Sequence, residues 1–147
     1  MNTKLIKLID FVLSSARKYL KENDYTEVVV PRVVRASGAC ENVNTLFEAS
    51  SGDNLKWFNG KKAYLAQTGQ LYLEALVPKL GNVYCIGPSF RAEAKVDSRH
   101  LTEFQMIEIE HPGGFDKLLK YIEGVISGIA HDVASYGKIK GEFGLCD

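Results

Sequence analysis

Two long runs rich in apolar residues, Val83 to Glu93 and Leu101 to Glu110, flank the polar heptapeptide AKVDSRH. No other feature restricts the fold as much. The runs read as two long strands, and so short a connection allows only antiparallel pairing, because a parallel pair needs a crossover of about a dozen residues or more. The result is a long hairpin with a basic tip.

The rest of the chain is read around that hairpin. Residues 4 to 22 place Leu5, Leu8, Ile9, Val12, Ala16 and Leu20 at spacings of three and four, with Lys7, Arg17, Lys18 and Lys21 largely off that stripe. This is an amphipathic helix, stopped by Asn23-Asp24. Tyr25 to Val30 is rich in β-branched residues and reads as a strand. Pro31 removes a ladder donor, so the strand ends there or lies at an edge. Residues 35 to 45 form a loop, Leu46 to Ala49 a short strand and Ser50 to Asn54 a turn-rich loop. Asn59-Gly60, between LKWF and KKAYLAQ, signals a hairpin turn because both residues tolerate positive φ. Thr68-Gly69 opens a helix from Gln70 to Leu80, closed by Gly81. Phe115 to Tyr136 carries a second amphipathic stripe from Phe115 to Val133, and the tail 137–147 has no period. The order predicts an α+β fold, an antiparallel β-sheet flanked by helices, without repeat or linker.

Composition narrows the function. The chain has 147 residues, 46% of them hydrophobic, enough for one domain and one core. Its 18 basic and 18 acidic residues balance, which gives no support to a non-specific nucleic-acid or membrane binder. Cys40, Cys85 and Cys146 show no C-x-x-C spacing, so they read as inert reduced thiols of a cytoplasmic protein. The polar N-terminus is not a signal peptide, and no apolar run reaches about 18 residues. His111 and His131 have no partner at ligand spacing, so no bound metal is expected. Trp57 is expected to pack on the sheet.

Chemistry concentrates on the long hairpin. Side chains alternate along a strand, so Arg91 and Glu93 share a face, and Phe104, Met106 and Glu108 share a face of the partner. If the faces coincide, one surface carries a guanidinium, a carboxylate and an aromatic ring, with Arg99 and His100 at the tip. Such a surface suits a nucleotide: the ring stacks on a base, the guanidinium pairs with phosphate and the carboxylate accepts from an exocyclic amine. Alternation alone favours a sheet face with cross-strand ion pairs.

The order of segments adds a resemblance. FRAE at Phe90 to Glu93, then RHLTEF at Arg99 to Phe104 and MIEIE, resembles motif 2 of class II aminoacyl-tRNA synthetases. YTEVVVPRVV, behind a long helix, resembles motif 1. QTGQLYLE at Gln67 to Glu74 resembles the amino-acid-binding segment of the aspartate and asparagine branch, and SGACEN at Ser37 to Asn42 its mobile loop. These segments occur in the family's order. Aspartate enzymes resemble QSPQLYKQ, with a lysine where this chain has Leu73. Loss of that cation removes a preference for an anionic side chain, and GQLYLE resembles asparaginyl-tRNA synthetases. The implied fold is the N-terminal half of the class II catalytic core. The domain spans residues 1–136, with motif 1 at about 4–34, motif 2 at about 83–110, and 137–147 as a tail.

The resemblance implies roles residue by residue. Arg91 binds the α-phosphate of ATP and stabilises charge that builds there. Glu93 holds the adenine amino group and Phe104 stacks on the ring. Arg99 and His100 reach the outer phosphates or the tRNA acceptor end. Gln70, Glu41 and Glu108 hold the amino acid. Pro31 lies in a homodimer interface built by motif 1. Magnesium accompanies ATP as substrate.

Departures qualify the match. The sequence ends at Asp147 without the acidic residues for magnesium, a GxGxGxxR-like motif 3 or an N-terminal anticodon-binding barrel. Thr68 replaces a serine, and Asn42-Val43 replaces a Gly-Gly pair. Three functions stay open: an ATP- and asparagine-binding protein with weak adenylate formation, a non-catalytic dimerisation or regulatory module, and an asparagine synthetase-like activity. Whether the chain is a natural truncated paralogue or a fragment stays open too. Direct tRNA recognition is not expected without the anticodon domain.

Overall fold

The computed structural model describes residues 3–36, 42–49, 59–95, 97 and 100–136. Helix α1 spans Thr3–Glu22, followed by strands β1 (Thr26–Glu27) and β2 (Val33–Val34), a 3-10 turn at Val43–Thr45, and strands β3 (Glu48–Ala49) and β4 (Ala63–Leu65). Helix α2 (Gln70–Leu80) leads into β5 (Val83–Phe90), β6 (Glu103–Glu110) and helix α3 (Phe115–Ser135). This is the mixed fold with an antiparallel sheet that the sequence predicts. The described residues fall into two compact units, one from residues 3–26 and 113–136 and the other within residues 27–112.

The first unit is the pair α1 and α3. Asn23-Asp24 ends α1 as expected, and the mechanism is visible. Asp24 takes a positive φ of 60°, its N–H donates to Lys21 O, and the Tyr25 N–H reaches back to Leu20 O at 2.9 Å. This is a Schellman closure with Asp24 in the usual glycine position, sealed by buried Leu20 and Tyr25. Tyr19 lies across Gly124 and Gly128 of α3; a Cβ on Gly124 would overlap its phenol. Ser15 Oγ donates to Asp132 Oδ2 at 2.7 Å, and the Phe11 and Tyr136 rings stack at 4.7 Å. The apolar stripes are less buried than their periodicity predicts. Leu5 and Ile9 are half exposed, Phe115 and Ile126 more so, and α3 has no buried residue.

The second unit holds the hairpin. β5 and β6 pair antiparallel in one unbroken register, from Val83↔Glu110 to Phe90↔Glu103. The sheet order is β1-β5-β6, with Val28 N donating to Tyr84 O at 2.8 Å. A second small sheet, β2-β4-β3, pairs Val34 with Tyr64 and Tyr64 with Glu48. Helix α2 has the predicted bounds. Gly81 closes it at φ 75°, its N–H bonding Val77 O. Leu73 packs with Val30, Val83 and Cys85 in the core beneath α2.

Several expectations need correction. The strand expected over Tyr25 to Val30 is reduced to Thr26–Glu27; Val29 is fully exposed, and the chain enters a sheet again at Val33. The long strands end at Phe90 and begin at Glu103, not at Glu93 and Leu101. Val43–Thr45, expected as loop, turns under an Asn42 cap whose Oδ1 accepts from Asn44 N at 3.0 Å. Asn59 and Gly60 make the expected left-handed turn at φ 53° and 71°, but the strand that pairs with β4 across it is Glu48–Ala49. LKWF with Trp57, Glu41, Cys40, Arg99, Cys146 and the tail 137–147 lie outside the described residues.

Candidate functional site

The register decides which hairpin side chains meet. Residues directly opposite across a ladder share a face. Ser89 opposes Phe104, Gly87 opposes Met106, and Cys85 opposes Glu108. Continuing that parity brings Arg91 toward the Phe104 face. Arg91 is already off the ladder, and two backbone hydrogen bonds fix where it goes. Its N–H donates to Thr102 O at 2.9 Å, and Ala92 N donates to Thr45 O at 2.8 Å. Thr45 is held in turn by buried Gln67, whose Nε2 donates to Thr45 O and Oγ1 at 3.2 and 2.9 Å. Gln67 O accepts from Ser89 Oγ at 2.7 Å. The turn at Val43–Thr45 thus props the end of the hairpin, a role the sequence does not signal.

Arg91, Glu93, His100 and Phe104 line one cavity of about 290 Å3, together with Leu101. The Arg91 guanidinium lies 5.8 Å from the Phe104 ring centroid, within reach of a cation–π contact. His100 is exposed at the mouth. Its Nδ1 meets Asp97 Oδ1 at 2.9 Å, and the same oxygen accepts from His100 N at 3.0 Å. Four of the five residues expected to contact ATP are therefore gathered; Arg99 is not described. A cavity with an aromatic wall, a guanidinium and a carboxylate can take a planar heterocycle bearing an anionic tail.

The residues expected at the amino-acid end are arranged differently. Glu108 is nearly enclosed, with its side chain 8% exposed. Its carboxylate accepts from Gly69 N at 3.0 and 2.9 Å and from the Thr68 hydroxyl. Negative charge is favoured at this N-terminal end of α2. Arg32 Nη1 lies 3.8 Å from Glu108 Oε1. Cys85 also faces this carboxylate, and burial first, then the Glu108 charge, push its thiol up to about 11. Gln70 turns to Glu74, its Nε2 donating to Oε1 at 2.7 Å. Glu110 has its carboxyl raised, first by burial and then by the neighbouring Glu74 charge, against the opposing pull of His111. Pro31 is exposed between Val29 and Val33, an apolar edge. Arg32 is the residue that motif reading passes over; its signal is a glycine, Gly87, inside a strand.

Comparison with known proteins places the chain in a family. The profile of the family described as tRNA synthetases class II (D, K and N) matches residues 1–144. The chain belongs to this family. Among class II relatives, the asparagine–tRNA ligase of Desulforamulus reducens is 47% identical over 96 residues, 65% of this chain and 20% of the relative. That of Koribacter versatilis is 35% identical over 130 residues, 88% of this chain and 27% of the relative. Pyrococcus horikoshii asparaginyl-tRNA synthetase, solved with asparaginyl-adenylate, superposes with a TM-score of 0.83 at 33% identity, covering 96% of this chain and 31% of that one. The Entamoeba histolytica enzyme, also with asparaginyl-adenylate, gives 0.77 at 30% identity, with 96% and 30% covered. The chain thus spans between a fifth and a third of the relatives it matches. Among the described residues no helix is long and apolar enough to cross a membrane.

Proposed function

We propose that this chain is the motif 1 and motif 2 part, residues 1–136, of an asparaginyl-tRNA synthetase-type catalytic domain, and that it binds ATP and asparagine. The observation that carries the reading is the cavity in which Arg91, Glu93, His100 and Phe104 converge. Phe104 stacks on adenine, worth about 1–3 kcal/mol for a base on an aromatic ring. Glu93 accepts from the adenine amino group. Arg91 pairs with the α-phosphate, and Arg99 and His100 reach the outer phosphates. Gln70, Glu108 and Glu41 serve the amino acid; for Gln70 this requires release from Glu74. Its fully buried neighbour Leu73 brings no cation to that end, which supports asparagine over aspartate.

The chemistry is transfer of the adenylyl group. The asparagine carboxylate oxygen bonds to the α-phosphorus, the bond to the bridging oxygen breaks, and pyrophosphate leaves. Arg91 balances negative charge gathering on the α-phosphoryl oxygens. Magnesium enters with ATP, and no group of three or more potential ligands among the described residues could hold a metal. Motif 1 supplies the dimer contact: Val29, Pro31 and Val33 leave an apolar edge that a second copy would cover. That edge also favours a second reading, a dimerisation module without turnover. A cytoplasmic location accords with one relative, named a probable cytoplasmic asparagine–tRNA ligase in Enterocytozoon bieneusi.

Isotope exchange between pyrophosphate and ATP tests the catalytic part. The expected result is exchange that depends on asparagine and is lost in Arg91→Ala. Equal traces in both proteins, with a dimer in sedimentation that Val29→Asp dissociates, would leave the module reading standing instead.

A further inference from the structure

The lysine position of the aspartate enzymes holds Leu73, yet a cation lies beside the same core cluster. Arg32 Nη2 points to Cys85 Sγ at 3.8 Å, and Cys85 packs with Leu73. The guanidinium lies against β5 at Gly87, where an added Cβ would overlap it, with Cζ only 2.7 Å from that Cβ. Its side chain is 20% exposed. Nη1 is buried, and no hydrogen-bond partner meets it among the described residues. Among the described residues, the anion paired with it is Glu108, 3.8 Å away and clasped by Gly69 and Thr68.

A guanidinium does not lose its proton in a protein, so Arg32 is a fixed positive charge. Glu108 offsets it. Glu74, which accepts from Gln70, and Glu110 beside Glu74 add further negative charge near the N-terminal turns of α2. A neutral carboxamide is not repelled by these acids. A carboxylate is drawn by Arg32 and repelled by Glu108 and its acidic neighbours.

We propose that Arg32 is a specificity-determining residue: masked by Glu108 it suits the site to an uncharged carboxamide side chain, and unmasked it selects a carboxylate. This rests on the reading of Gln70 and Glu108 as the amino-acid end of the site. Selectivity then comes from Arg32 set against Glu108. Removing the lysine at position 73 is not sufficient by itself.

The test is calorimetric titration of the full chain with asparagine and with aspartate, ATP present throughout. The wild type should prefer asparagine. Glu108→Gln keeps an acceptor for Gly69 N but removes the masking charge. Its preference should move toward aspartate by about tenfold or more, equivalent to roughly 1.4 kcal/mol. Adding Arg32→Met to that variant should abolish the gain, and Arg32→Lys alone should retain the wild-type preference. If Glu108→Gln does not fold, Arg32→Met decides: a bare Glu108 carboxylate should push aspartate about tenfold further behind asparagine. The proposal is overturned if wild type binds asparagine while these variants leave the ratio within about twofold, or if the double variant still gains aspartate. Wild type that binds neither amino acid would refute the site reading itself, and this inference with it.

Discussion

Gly69→Ala probes the joint between α2 and the hairpin. Gly69 has a φ of −92°, open to any residue, so the backbone makes no demand for glycine. The demand is spatial. A Cβ would sit 2.9 Å from both Cys85 Sγ and Val30 Cγ2, and 3.4 Å from Glu108 Oε1. Both neighbours belong to the core beneath α2 and have little room to yield. Overpacking of this kind costs about 1–3 kcal/mol. If α2 lifts to relieve it, the Gly69 N–H leaves the Glu108 carboxylate, and a hydrogen bond to a charged group is worth about 1.5–3 kcal/mol. Against this, alanine restricts the unfolded chain and returns about 0.4–1 kcal/mol. The steric loss wins, and a net destabilisation of about 0.5–2.5 kcal/mol follows. Urea denaturation followed by circular dichroism measures it, and hydrogen exchange should place the loss in α2. An alanine variant as stable as the wild type, with unchanged exchange in α2, would mean that the core beneath α2 makes no steric demand at Gly69.

Other consequences can be checked singly. Phe104→Leu should weaken ATP binding about tenfold, since base stacking on a ring is worth about 1–3 kcal/mol; titration reads it. Gly124→Ala should lower the melting temperature by forcing Tyr19 off α3, and Tyr19→Phe in the same chain should recover part of the loss. Cys85, raised from 9.0 to about 11, should react with a thiol reagent at pH 8 about a hundredfold more slowly than an ordinary cysteine, because the thiolate is the nucleophile. The sign for stability follows: the native state holds this proton more tightly than the unfolded chain. The contribution is therefore full below pH 9.0 and lost as pH rises through about 11, visible in a denaturation series across that range.

The parts of the fold legible in the sequence are those fixed by local physics. Helix α2 follows from Thr68-Gly69 and Gly81, and the end of α1 from Asn23-Asp24. The hairpin follows from two runs and a short connection, which also brings Arg91 and Phe104 to one cavity. What escapes is set by distant partners. Strands β2, β3 and β4 are two or three residues long, too short for any period, and exist because each finds the next. Gln67 and Thr45 prop Arg91 from 22 residues apart, and nothing local announces it. Arg32 meets Glu108 only after motif 1 is laid on the sheet; before that, it is one charged residue after a proline. The apolar stripe of α3 is legible, but periodicity says which face is apolar and not whether anything covers it.

A hairpin cavity that is a working half of an ATP and amino-acid site should bind ATP, and calorimetric titration with ATP and magnesium, with and without asparagine, measures this. Binding should tighten when asparagine is present and weaken in Arg91→Ala. No heat at millimolar ATP, with or without asparagine, would mean that the cavity holds no nucleotide.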